Sequence, residues 1–165
     1  MSKITPFLWF DKNAEEAINY YVSVFNGNPA KKIESKVITL RRYPEGELEG
    51  PMNGFDGKVL TGVFELEGER FMALDGGPIF KFNESVSFLV DCRDQEEIDY
   101  FWDTLIKDGG QESQCGWLKD KFGLSWQITP SMEQFLFPSD SEKSKRAMNA
   151  MLKMKKIVIA ELENA

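Results

Sequence analysis

The sequence predicts an α+β fold built from two successive βαβββ modules and a C-terminal helix. Two observations carry that prediction. A strand, a helix cap, an amphipathic helix and a glycine recur in the same order in each half. Strand-like segments then follow each helix, which gives a mixed, largely antiparallel sheet rather than a doubly wound one.

The first half opens with the apolar strand at Phe7 in FLWFDKNAEEAINYYVSVFNG. Asn13 offers an N-cap, with Glu16 three residues on as its capping-box partner. Ala14, Ala17, Ile18, Tyr21, Val22 and Phe25 follow at helical spacing, and Gly27 closes the element. KKIESKVITLRRY, KVLTGVFELEG and ERFMALDGG supply three strands. The loop at 44–57, rich in Pro and Gly, reads as a solvated connection or a substrate lid.

The second half repeats the order from Phe88 in FLVDCRDQEEIDYFWDTLIKDGG. Asp94 with Glu97 forms its capping box, and Ile98, Phe101, Trp102, Leu105 and Ile106 form its apolar face. An offset of 81 superposes Phe7 on Phe88, Leu8 on Leu89, Glu15 on Glu96 and Glu16 on Glu97. The region around Gln111 to Gln114 and the stretch KDKFGLSWQITP supply shorter strands. The expected organisation is a paired domain over 1–138, with modules of about 1–80 and 81–138. A helical extension over 139–165 follows, capped by Ser139 or Ser141. Its apolar positions Ala147, Met148, Met151 and Leu152 share one face, and Met154, Ile157, Val158 and Leu162 continue the apolar content. The basic residues form a solvated face, while the apolar stripe suits packing against a second subunit.

Composition removes several function classes. The chain has 165 residues, a formal charge of −7 and a pI near 4.8, so nucleic-acid binding through phosphate neutralisation is disfavoured. It has no histidine, which removes the commonest metal ligand and the usual neutral-pH acid–base group. Cys92 and Cys115 make no disulfide framework, and a reduced cytoplasmic protein is expected. No signal peptide or membrane span is read in the chain.

The two βαβββ modules resemble the vicinal oxygen chelate superfamily, which includes glyoxalase I, extradiol dioxygenases and bleomycin-resistance proteins. The stretches PFLWFDKNAEEAINYYVSVF, FMALDGGPIFKFNESVSFLVDCRDQEEIDYFWDTL, CGWLKDKFGLSWQITP and AMLKMKKIVIAEL are similar to its PhnB-like branch, often labelled 3-demethylubiquinone-9 3-methyltransferase-like. The resemblance implies a cup-shaped sheet with the ligand on its concave face, and a homodimer. It places the metal-ligand positions of the metal-dependent relatives near Thr5, near Ala73, near Ser85 and on Gln127. The Asp120 to Gly123 turn before Gln127 matches the family's aspartate–x–x–glycine turn before a glutamate ligand. Thr, Ala, Ser and Gln supply no negative charge, so the resemblance together with these residues implies that no metal is bound and no cofactor used.

The candidate ligand-binding residues are Trp9, Asp75, Ser85, Trp117 and Gln127. Gln127 is either a groove residue that hydrogen-bonds a ligand or a structural amide bridging strands. Asp75 in MALDGGPIF either places a carboxylate at the rim or precedes a glycine-assisted chain reversal. Trp9, Phe71, Phe88, Trp117 and Trp126 furnish either an aromatic pocket or core packing. Trp126 and Gln127 are adjacent on a strand and face opposite ways. Cys115 lacks a histidine to lower its pKa, which leaves only Lys119, Lys121 or a distant arginine for that role. The expected function is small-molecule binding with no assigned reaction. Methyl transfer is the alternative that the family label names, although GERFMALDGGP opens no helix of the kind that S-adenosylmethionine enzymes of the common kind place after a Gly-rich turn.

Overall fold

The computed structural model describes residues 3–133 and 141–165. The candidate cap Ser139 and the side chain of Ser141 lie outside the described residues. The chain divides into two compact units, the first comprising 1–27 with 31–81 and the second 28–30 with 82–165.

The first unit runs β1 (Phe7–Phe10), α1 (Ala14–Asn26), β2 (Lys36–Arg42), β3 (Val59–Leu66) and β4 (Glu69–Asp75). Its sheet has the order β1-β4-β3-β2, with β1 parallel to β4 and the other pairs antiparallel. Helix α1 buries Ala14, Ala17, Ile18, Tyr21, Val24 and Phe25 against this sheet. Val24, not the expected Val22, completes the stripe; the apolar face turns slightly toward the end of the helix. The buried Ile18, Val24 and Phe25 side chains each contribute roughly 1.5–3 kcal/mol. Gly62 of β3 lies directly beneath the helix, where a Cβ would meet Ile18 Cδ1 at 2.5 Å. Pro29 follows Gly27 and Asn28, so the helix has no continuation.

The second unit runs β5 (Ser87–Cys92), α2 (Gln95–Leu105), β6 (Gln111–Glu112), β7 (Trp117–Lys119) and β8 (Ser125–Pro130). Its order, β5-β8-β7-β6 with β5 parallel to β8, repeats that of the first sheet. The fold is therefore α+β with βαβββ order in both halves. Ile98, Phe101, Trp102 and Leu105 of α2 are buried, with Glu97 beside them, while Ile106 is only half-buried.

The two capping boxes expected at the helix starts have different fates. At α2, Asp94 Oδ1 accepts from the Glu97 N–H at 3.0 Å, and Glu97 Oε2 accepts from the Arg93 N–H at 2.7 Å. At α1, Asn13 makes no side-chain cap. A carboxylate from the far strand caps it instead: Asp75 Oδ1 accepts from the Ala14 N–H at 2.8 Å.

The offset of 81 also needs correction within the strands. It pairs Leu8, 5% exposed beneath α1, with Leu89, 54% exposed. The link from Phe10 to Ala14 is one residue longer than that from Cys92 to Gln95. One residue of slip puts every side chain of a strand on the other face. The repeat holds in topology, and its strand register differs from its helix register.

The C-terminal region is not one helix. Helix α3 spans Ser141–Met151, irregular chain follows, and α4 spans Ile159–Glu163. Ala147, Met154, Ile157 and Leu162 are buried, whereas Met148 and Leu152 are exposed. The segment belongs to the second unit. Among the described residues, no helix is long and apolar enough to cross a membrane.

Candidate functional site

In the second unit, the strand β8 separates two environments by simple alternation. Trp126 and Ile128 are 2% and 0% exposed and face helix α2. Trp126 donates its indole N–H to Asp120 Oδ2 at 2.9 Å and lies 5.8 Å from the Phe88 ring. Asp120 Oδ1 also accepts from the Phe122 and Leu124 N–H groups. The Asp120–Gly123 turn is thus held by one buried carboxylate, and Gly123 takes a left-handed φ of 85°.

Gln127 points to the opposite face. Its register neighbours are Leu89 on β5 and Trp117 on β7. Its Nε2 donates to Ser87 Oγ at 2.9 Å. Gln127 and Trp117 are both half-buried, and Leu89 beside them is exposed. Ser125 and Thr129 share this face by alternation, and both are buried. Their hydroxyl oxygens have no hydrogen-bond partner among the described residues. The face therefore combines an amide, an indole, hydroxyls and an aliphatic side chain. Lys119, its cation, pairs with Glu84.

The structure brings Trp117 and Gln127 together but distributes the other candidates. Ser85 is exposed just before β5, where its N–H and hydroxyl both donate to Asn83 Oδ1. Trp9 belongs to the first unit. Its indole donates to Gly77 O at 2.9 Å, and its ring meets Phe80 edge-on at 5.0 Å. A Cβ on Gly76 would lie 2.2 Å from Trp9 Cζ2, so glycine is needed for the ring to lie there.

Asp75 is 1% exposed and faces helix α1, away from Trp9. Oδ1 takes the Ala14 N–H, Oδ2 takes the Val59 N–H at 2.9 Å, and its backbone oxygen takes the Tyr43 hydroxyl at 3.0 Å. Burial and the nearby Asp75 charge push the Tyr43 hydroxyl above its ordinary value. A mixed-charge cleft of about 460 Å³ opens at this end of α1, lined in part by Lys12, Asn13, Lys58 and Asp75. The 44–57 loop nearby is anchored by buried Phe55, which meets Tyr43 edge-on and carries Lys12 Nζ over its ring.

Of the remaining aromatics, Phe71 stacks on Phe64 and is 8% exposed, so it belongs to the core with Trp126. Cys92 is buried, and burial first, then Glu97, Asp91 and Asp94, push its thiol far up. Cys115 is half-buried at a left-handed φ of 58°.

The four positions that correspond to a metal site do not fit a divalent cation. Ala73 has no donor atom and is fully buried in register with Gly62, beneath α1. Its neighbours on the other face, Met72 and Leu74, carry no oxygen either. Thr5, Ser85 and Gln127 are uncharged, and hard cations need anionic oxygen. Among the described residues, no group of three His, Cys, Asp or Glu side chains is placed to hold a metal.

Sequence reasoning missed Ser87, Ser125 and Thr129. Alternation outward from Gln127 along SWQITP would have found the last two; Ser87 becomes visible only with the β5–β8 register.

Comparison with known proteins places this arrangement in a family. The family described as 3-demethylubiquinone-9 3-methyltransferase matches residues 2–129. A solved structure from Bacillus cereus, titled a putative 3-demethylubiquinone-9 3-methyltransferase and PhnB protein, is 36% identical. The match covers 79% of this chain and 100% of that one, with a TM-score of 0.66. A Pseudomonas aeruginosa protein of 17% identity shares the fold, covering 76% of this chain and 95% of its own, with a TM-score of 0.60. No curated protein matches the chain. With its repeated βαβββ order and its match over residues 2–129, the chain belongs to the PhnB-like family described as 3-demethylubiquinone-9 3-methyltransferase.

Proposed function

We propose that this protein binds a small, neutral, planar molecule on the sheet face that carries Gln127 and Trp117, without a metal ion and as a homodimer. The observation that carries this reading is the register of Trp117 with Gln127, tied to Ser87 by the amide hydrogen bond. An indole face offers stacking area, and the amide and hydroxyls offer donors and acceptors without a charge. A face whose lysine already pairs with Glu84 suits an uncharged ligand better than an anion.

The lack of anionic oxygen on Thr5, Ala73, Ser85 and Gln127 supports the metal-free part of the reading, and Glu84 beside Ser85 is engaged by Lys119. Metal analysis of purified protein tests it directly. The expected result is sub-stoichiometric metal; one equivalent of zinc, nickel, iron or magnesium overturns it. Gel filtration with light scattering tests the dimer, with twice the 18.9 kDa chain mass expected.

Methyl transfer is named by the family description alone. The glycines after β4 have another use in this chain, because Gly76 makes room for Trp9 and Gly77 accepts its indole N–H. Irregular chain, not a helix, follows them up to β5.

A further inference from the structure

The family match ends at residue 129, so the stretch AMLKMKKIVIAEL, read from sequence as similar to the PhnB-like branch, lies outside it. The C-terminal region contains a strap, 153–159, that runs into the first residue of α4 and is bound to the rest of the second unit by its backbone. Met154 O accepts from the Cys115 N–H at 2.8 Å, and Lys155 O accepts from the Gly116 N–H at 2.7 Å. Gln95 grips the strap on the other side: its Nε2 donates to Ile157 O at 3.0 Å and its Oε1 accepts from the Ile159 N–H at 2.9 Å. Lys156 Nζ lies 2.9 Å from Asp99 and 3.4 Å from Asp103 on α2, and Lys155 reaches Glu112. Met154, Ile157 and Leu162 are buried.

The strap's target is unusual backbone. Cys115 and Gly116 both have positive φ, 58° and 81°, and that conformation is costly for a residue with a Cβ. A Cβ on Gly116 would sit 2.8 Å from Ile128 O and 3.1 Å from Ile157 Cγ1, so strap, turn and β8 meet there with no room for a side chain. The next residue is Trp117, in register with Gln127. Two strap carbonyls thus satisfy the N–H groups of a strained turn that aims the indole.

We infer that the 153–159 strap is a positioning device: it locks the Cys115–Gly116 turn and so fixes Trp117 beside Gln127, with Gln95 and Lys156 as its positioning residues. The significance of that positioning for ligand binding rests on the proposed function; the lock itself does not. Lys155 and Lys156 are then clasps onto β6 and α2. Lys156 supports this electrostatically. Against the burial that would lower it, Asp99 and Asp103 hold its ammonium above the ordinary value.

The test uses the full chain. Amide hydrogen exchange is measured in the wild type, in the Gln95→Ala/Lys156→Glu double variant, in Lys156→Gln and in Lys156→Arg. In the double variant, exchange at Ile159, Cys115 and Gly116 is expected to rise together, by about tenfold or more, with α1 unchanged. Lys156→Gln gives a smaller rise at the same amides and serves if the double variant does not fold. Lys156→Arg retains wild-type protection. If Ile159 exchanges faster while Cys115 and Gly116 do not, the strap does not lock the turn. No rise at Ile159 overturns the roles of Gln95 and Lys156. A parallel thermal-shift measurement with neutral aromatic compounds separates the two claims. Faster exchange with no compound bound by the wild type leaves the lock standing and sinks the binding face.

Discussion

Asp75 Oδ1 lies 2.8 Å from the backbone nitrogen of Ala14, so the last strand of the first sheet caps the first helix. The contact joins residues 61 apart in sequence and replaces the local cap that Asn13 would have provided. A helix N-terminus favours a carboxylate because its first N–H groups have no partner within the helix and carry partial positive charge. The second oxygen ties down the first residue of β3. Asp75 is therefore already engaged by the fold, and its conspicuous place before two glycines has a structural cause.

That relationship separates two neighbouring substitutions. Asp75→Ala leaves two buried N–H groups unsatisfied and is expected to cost about 2–4 kcal/mol. Asn13→Ala should fall within about 0.5 kcal/mol of wild type, the range of surface changes that remove no cap. Urea denaturation at neutral pH measures both. A larger loss at Asn13 than at Asp75 would mean that the local capping box forms after all.

Gly76→Ala places a methyl carbon against the Trp9 ring, where no relaxation of a flexible chain end is available. The expected cost is about 1–3 kcal/mol, as for other overpacked sites. The Trp9 indole N–H, which donates to Gly77 O, should shift in an NMR spectrum while those of Trp102 and Trp126 stay in place. An unchanged spectrum would contradict the close approach of ring and backbone.

Acid should destabilise the protein in a defined window. The Arg42 guanidinium holds Glu15 below its ordinary 4.5, and the Glu97 N–H and then Arg93 hold Asp94 below 3.8. The Trp102 indole and Lys155 hold Glu112 below 4.5. Each binds its proton more weakly in the folded chain than in the unfolded one. Their contribution is complete above the ordinary values and is lost as pH falls through the lowered ones. With no histidine in the chain, the urea midpoint should be nearly flat from about pH 5.5 to 7 and should fall below about pH 4.5. A midpoint that rises on acidification from pH 4.5 would contradict these shifts.

The fold was legible because its signals are local. Strand, cap, helix and glycine recur within about twenty residues, and alternation placed Trp126 and Gln127 on opposite faces. What failed to show depends on register and on distant partners. The Asn13 cap was displaced by Asp75, and the match of Leu8 with Leu89 broke on a link one residue shorter. The C-terminal helix was read through Met154 and Ile157, which are apolar for another reason: they anchor an irregular strap. At the candidate site, Trp117 and Gln127 could be named from sequence, but their adjacency follows from β7–β8 pairing. Ser87 joins them only across the parallel β5–β8 ladder.

The central claim is a neutral-ligand site at Gln127 and Trp117. The most direct measurement is a thermal-shift screen of uncharged planar aromatic compounds on the wild type, Gln127→Ala and Trp117→Ala. Binding raises apparent stability by mass action. The account predicts compounds that raise the wild-type Tm, with the shift lost in both variants while their unliganded folds persist. A shift of equal size in all three proteins would contradict it, as would stabilisation by charged compounds alone.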